Sequence, residues 1–323
     1  MKAARIHRQG GPEVLQLDEV PRPVAAEGQV VVRVSRAGLN FVDVYHRRGQ
    51  YPLPSVPWTL GLEAAGVVEE VGREVSEARV GDRVAWNGVP GSYAEYVAVP
   101  ADRLIPLSEG VDFDAGAALP LQGMTAHYLV HSLHETKPGE TMLIHAAAGG
   151  VGQLATQMAK LAGARVIGTV STEAKARLAR EAGADHVILY TQQDFVEEVK
   201  RVTDGLGVDV VLDSVGKDTF AKSLQATRVR GQAIIFGSAS GPADPISPNS
   251  LQNPSKTISG GSLAFFTATR QELLERANAV FGWYEQGELR LRIDRVLPLA
   301  KVAEAHRALE SREAAGKVLL AVD

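Results

Sequence analysis

The stretch LIHAAAGGVGQLATQMAKLAGARVIGTVST, Leu143 to Thr172, decides the fold. It strings a short apolar strand, a turn of small residues, a helical segment and a second apolar strand into about 30 residues, the length of one βαβ unit. A glycine turn alone is weak evidence, because strand-to-helix turns take small residues simply to pack. Context strengthens it here: the turn follows a strand and opens a helix at once. Gly149 and Gly152 fall on the second and third positions of a dinucleotide-binding fingerprint, with Gly150 and Val151 between them. At those positions the backbone can approach a pyrophosphate and the helix can lie close to the strand, while the helix N-terminus adds N–H donors and partial positive charge. Ala147 stands on the first position, where a methyl group is tolerated if φ stays negative. A turn that serves packing only is the competing reading.

The second strand of the unit carries the next signal. Enzymes that use unphosphorylated NAD end it with Asp or Glu, which binds the ribose hydroxyls. Here the position is Val170, followed by Ser171, Thr172 and Lys175. A lysine in the first turn of a helix opposes the macrodipole unless an anion lies between them, and a 2′-phosphate is such an anion. The pattern predicts NADPH; a solvated surface lysine is the plainer alternative.

Outward from this unit, apolar strands alternate with amphipathic helices from about residue 114 to 265, the mark of a parallel sheet covered on both faces. Before it the chain reads as short alternating strands, and after it as helix, strand, helix and strand. The predicted class is α/β, with a β domain beside a doubly wound Rossmann domain. At 323 residues, 45% apolar and 22% charged, the chain suits two domains. With 38 acidic against 34 basic residues the net charge is −4, so nucleic acid is not an expected partner. No window has the length of a signal peptide core or a membrane span, which predicts a cytoplasmic protein without membrane contact. There is no cysteine, so no disulfide, thiolate nucleophile or cysteine-bearing metal site exists. The 8 histidines show no metal-ligand pattern either; His127 and His131 share a spacing but fit a helix surface better. No metal is expected.

The segments AGLNFVDVYHRRGQYP, LGLEAAGVVEEVG, VGDRV, GSYAEYVAVP, AAAGGVG and LDSVG, in this order, resemble the quinone oxidoreductase (zeta-crystallin-like) branch of the medium-chain dehydrogenase/reductase superfamily. The resemblance spans essentially the whole chain. It implies a GroES-like catalytic domain from 1–115 and 266–323, with the NADPH-binding Rossmann domain, 116–265, inserted between them. Where the zinc enzymes of the superfamily keep a cysteine, this chain has Asn40, and in place of their Gly-His-Glu it has Gly61, Leu62 and Glu63.

Site residues carried over by resemblance are Asn40 and Thr125 near the nicotinamide and its ribose, and Gly149 to Gly152, beside Ala147 of the same turn, on the pyrophosphate. Ser171, Lys175 and Tyr190 are placed at the 2′-phosphate, with Arg312 as a second cation, and Phe236, Gly237 and Ser238 along the cofactor groove. Tyr45 and Tyr51 follow Asn40 in the segment the family places beside the substrate, and form with it the predicted catalytic set. Without metal or thiol, hydride transfer depends on positioning and on polarising an electron-poor acceptor. A quinone fits. An enal, enone or enoyl thioester reductase is the rival enzyme, and a low-turnover NADPH-binding protein the rival of another class. The apolar run TISGGSLAFFTATR, read as an extended segment at a sheet edge, predicts a homodimer.

Overall fold

The computed structural model describes residues 1–311 and 313–322. It divides into two compact units, one from Met1–Met124 and Thr267–Gly287 with the segment from Leu291 onward, the other from Thr125–Phe266 with Glu288–Arg290.

The first unit opens with β1 (Lys2–Ile6), β2 (Leu15–Glu19), β3 (Gln29–Gly38), α1 (Phe41–Arg48), β4 (Trp58–Thr59) and β5 (Glu63–Val71). Then come β6 (Arg83–Asn87), β7 (Tyr96–Pro100), β8 (Ile105–Pro106), α2 (Phe113–Gly116) and α3 (Leu119–Tyr128), the last of which runs into the second unit. Strand β3 has the sequence QVVVRVSRAG; its valines suit a pleated surface, and it lies buried because it pairs antiparallel with both β5 and β7. Helix α1 begins where Asn40 and Asp43 form a reciprocal capping box, and it ends at Gly49 with φ 82°. The core of this unit gathers Val30, Val32, Val34, Leu60, Trp86 and Leu320.

The second unit contains β9 (Thr141–Ile144), α4 (Gly150–Leu161), β10 (Arg165–Val170), α5 (Glu173–Glu181), β11 (His186–Leu189) and α6 (Phe195–Val202). It continues with β12 (Val208–Asp213), α7 (Phe220–Ala226), β13 (Thr227–Ile235), β14 (Thr257–Gly260) and α8 (Leu263–Phe266). The six strands are all parallel, in the order β11-β10-β9-β12-β13-β14. This is the doubly wound order, whose strand direction of progress reverses between β9 and β12, the place where such sheets bind nucleotides beyond their carboxyl ends.

The chain then adds α9 (Arg270–Glu285), β15 (Ile293–Pro298), α10 (Val302–Glu310) and β16 (Lys317–Ala321) to the first unit. Strand β16 pairs parallel with β15 and antiparallel with β3, so the larger sheet runs β15-β16-β3-β5-β6-β8 with β7 also on β3. Two readings change in detail. Strand β13 starts at Thr227, ahead of the apolar QAIIFGS, because Arg228 and Arg230 hide its first half from a hydrophobicity pattern. The run TISGGSLAFFTATR is extended only over Thr257–Gly260; after Gly260 and Gly261 it coils into α8. Among the described residues no helix is long and apolar enough to cross a membrane.

Candidate active site

In the second unit, the turn after β9 takes its left-handed step at Ala146, φ 51°, so Ala147 keeps the negative φ that a methyl group needs. Ala147 is buried, and its N–H donates to Thr169 O on β10. Gly149 caps α4 in extended conformation and brings no side-chain oxygen to the first-turn N–H groups. Those donors therefore suit an outside anion, the arrangement that holds a pyrophosphate. Gly152 is required by contact: a Cβ there would lie 2.3 Å from Ala146 O and 2.8 Å from Ala147 Cα. Gly150 and Val151 form the first turn between them.

At the neighbouring strand end, Val170 is buried and offers nothing to a ribose hydroxyl. Ser171 follows, and Thr172 caps α5 by accepting the N–H of Lys175, which fixes that lysine on the first turn. Tyr190 is 41% exposed, and its N–H donates to Val170 O at 3.1 Å. Ser171, Lys175 and Tyr190 thus gather at the carboxyl ends of β10 and β11. Phe236, Gly237 and Ser238 fold over the turn beyond β12: Phe236 N–H donates to Asp213 O, and a Cβ on Gly237 would meet Ser214 O at 2.7 Å. Asp213, absent from the predicted set, builds that turn, since its Oδ1 accepts from the N–H groups of Val215 and Gly216. Thr125 lies buried on α3. Arg312 falls outside the described residues.

In the first unit, Asn40, Tyr45 and Tyr51 lie at or near α1. The rings of Tyr45 and Tyr51 meet edge to face at 5.2 Å; Tyr45 is buried and Tyr51 is 44% exposed. Asn40 is held from every side. Its Nδ2 donates to Glu63 Oε2 at 2.9 Å and to Gly38 O at 3.3 Å, and its Oδ1 accepts from Lys317 Nζ at 2.9 Å. Both amide protons are therefore spoken for inside the unit. Lys317 also donates to Glu63 Oε2, and Glu63 Oε1 accepts the N–H of Leu121. Burial pushes the Glu63 carboxyl upward, opposed first by the Lys317 charge. Gly38 gives this ion pair its room: a Cβ there would sit 2.4 Å from Glu63 Oε2 and 2.9 Å from Lys317 Cε.

One turn along α1, Asp43 is fully buried. Its Oδ2 accepts from the Asn40 N–H at 2.9 Å and from Tyr93 OH at 2.8 Å, whereas its Oδ1 has no partner among the described residues. Burial raises its carboxyl to about 7, against the lowering effects of Tyr93, the Asn40 N–H and Lys317. Asp43 and His46 line a cavity of about 290 Å³ whose other walls include Pro52, Trp58, Leu62 and Pro90. Asp43, Tyr93, Glu63 and Lys317 are the residues that sequence reasoning did not select. An acid three residues after Asn40 is a helix-start signal that could have flagged Asp43. Among the described residues no cluster of three or more His, Cys, Asp or Glu could hold a metal ion.

Residues 26–109 match the alcohol dehydrogenase GroES-like domain, and residues 150–279 the zinc-binding dehydrogenase family. A GroES-like β unit and a Rossmann unit on one chain define the medium-chain dehydrogenase/reductase class. The chain is 42% identical to a quinone oxidoreductase of Pseudomonas aeruginosa over 96% of each protein. It is 43% identical to a 2-haloacrylate reductase of Burkholderia sp over 98% of each. A crystal structure of Escherichia coli quinone oxidoreductase complexed with NADPH superposes with a TM-score of 0.97 at 40% identity, covering 100% of both chains. The chain belongs to the quinone oxidoreductase branch of that superfamily.

Proposed function

We propose that this protein is an NADPH-dependent quinone oxidoreductase. The observation that carries the reading is the uncapped, glycine-lined N-terminus of α4, with Val170 and Lys175 at the next strand end, in a chain alike end to end to a quinone oxidoreductase complexed with NADPH. NADPH supplies the hydride. The α4 N-terminus binds the pyrophosphate, and Ser171, Lys175 and Tyr190 take the 2′-phosphate. Thr125 and the Phe236–Ser238 turn flank the nicotinamide end of the cofactor. Proline, leucine and tryptophan walls around the cavity suit a flat apolar acceptor. Asn40 acts here as a fixed wall, since its amide is committed to Glu63, Lys317 and Gly38. Tyr45 and Tyr51 complete the acceptor side. No protein-bound metal takes part: the chain has no cysteine, and the Asn40 and Glu63 side chains hold the Lys317 ammonium.

A second reading, reduction of an activated alkene, is favoured by the resemblance to 2-haloacrylate reductase. Both use the same hydride on an electron-poor acceptor. The proposal includes a cytoplasmic location and a homodimer; in support of the latter, β14 is the edge strand of the parallel sheet and Phe265, just beyond it, is 80% exposed. The test is NADPH oxidation with a panel of 1,4-quinones, 1,2-quinones, enals and 2-haloacrylates, before and after exhaustive chelation. Quinone turnover that survives chelation is the expected result; turnover restricted to alkenes moves the assignment to the second reading, and loss of activity restored by zinc overturns the metal-free mechanism.

A further inference from the structure

Reduction of either acceptor class consumes a proton as well as a hydride, and the source of that proton has no owner among the residues above. Tyr93 is a poor candidate, because burial and Asp43 push its phenol far above the usual range and its proton is already given to Asp43. Lys317 is committed to Glu63 and Asn40. Asp43 differs from both. Its Oδ2 already accepts two hydrogen bonds, so a proton on this carboxyl belongs on the unpartnered Oδ1. A buried polar atom without a partner is costly, and natural proteins keep few of them without a use. Asp43 also lines the apolar cavity, next to Leu62 and His46.

We propose that Asp43 is the acid that protonates the reduced acceptor in this cavity, which deepens the reductase reading and rests on it. As hydride adds to the acceptor, a π-electron pair moves onto its carbonyl oxygen. That oxygen takes the proton from Asp43 Oδ1, the O–H bond breaks, and the carboxylate left behind is held by Tyr93 OH, the Asn40 N–H and the Lys317 charge. Solvent returns the proton, so the cycle oxidises one NADPH and reduces one acceptor by two electrons and two hydrogens. The groups that face Asp43 are His46 on α1, Tyr93 before β7, Glu63 at the start of β5 and Lys317 at the start of β16. Behind Tyr93, His306 of α10 meets its ring edge to face at 6.0 Å and hydrogen-bonds Arg47. A carboxyl raised to about 7 carries its proton through the neutral range and can still release it.

The experiment pairs Asp43→Asn with a readout that needs no turnover. The amide oxygen of the variant can still accept from Asn40 and Tyr93, so NADPH affinity and circular dichroism should match the parent. Infrared spectra of carboxyl-labelled protein should show a protonated aspartic acid band that titrates near neutrality, shifts when a hydroquinone binds and is missing in Asp43→Asn. In kinetics, kcat of the parent should fall above about pH 7, and the variant should lose about 10²-fold in kcat together with that pH limb. Absence of the band at pH 6, or a variant that keeps the parent's kcat and pH profile, overturns the proposal. A parent inert to every quinone and alkene, with the infrared band present, is instead a failure of the reductase reading. Should the variant misfold, the titration and hydroquinone shift in the parent decide alone.

Discussion

Lys175 is the side chain on which the proposed preference for NADPH rests. It sits on the first turn of α5, fixed there by the Thr172 cap, beside a strand end where Val170 replaces the acid that an NAD enzyme uses. A charge-assisted hydrogen bond is worth roughly 1.5 to 3 kcal/mol, so Lys175→Ala should weaken NADPH binding by about tenfold to a hundredfold and leave NADH nearly unchanged in parallel titrations. Equal losses would remove the 2′-phosphate from the account. At this scale the glycine turn and the Ser171, Lys175 and Tyr190 positions stand out in the sequence, because each lies within a few residues of a strand end, whereas Thr125, on a helix, has no such marker. The acceptor side does not stand out. Lys317 opens the apolar strand GKVLLAVD and looks solvent-facing, yet it is fully buried against Glu63, 254 positions earlier. No local pattern carries a contact of that range.

Helix α1 is an element whose stability should follow pH, because its capping box depends on a buried acid. Asp43 titrates at about 7 in the fold against an ordinary value of 3.8, so between those values the folded chain binds more protons than the unfolded one. Stability should therefore fall as pH rises from about 4 through about 7. Asp43→Asn should flatten that slope in denaturant titrations across the same window; an unchanged slope would mean that Asp43 is ionised throughout. The amphipathic helices α5 and α6 and the continuous apolar strand β10 were legible from the sequence. The start of β13 was hidden by Arg228 and Arg230, and the TISGGSLAFF segment by two glycines that end its strand. At β13 backbone pairing overrode the side-chain pattern; beyond β14 the chain left the sheet and turned helical.

For the whole molecule, the change of texture near residue 114 marked a β unit and a parallel-sheet unit, whereas the compact units divide at Met124 and Thr125, inside α3; only the family resemblance assigned the last helix and strand to the β unit. Their physical reason is the ladder: Leu319, Leu320 and Ala321 pair with Gly38, Ala37 and Arg36 of β3. The homodimer is tested at the same scale. Sedimentation at micromolar concentration should give twice the 34.4 kDa chain mass, and Phe265→Glu, at an 80% exposed site beyond the sheet edge, should shift the distribution toward monomer. A parent that sediments as a monomer sinks the dimer.

The Lys317–Glu63 pair has a consequence for biosynthesis. Translation delivers Glu63 to the growing polypeptide long before Lys317, and all six strands of the parallel sheet are made in the interval. Until β16 arrives, the Glu63 carboxylate lacks the ammonium that neutralises it and the Asn40 amide oxygen lacks its donor, so completion of the first unit should await the last strand. A nascent chain stalled ahead of Lys317 should therefore expose a strand edge on β3 and an uncompensated carboxylate, features by which quality control can tell an unfinished copy from a finished one.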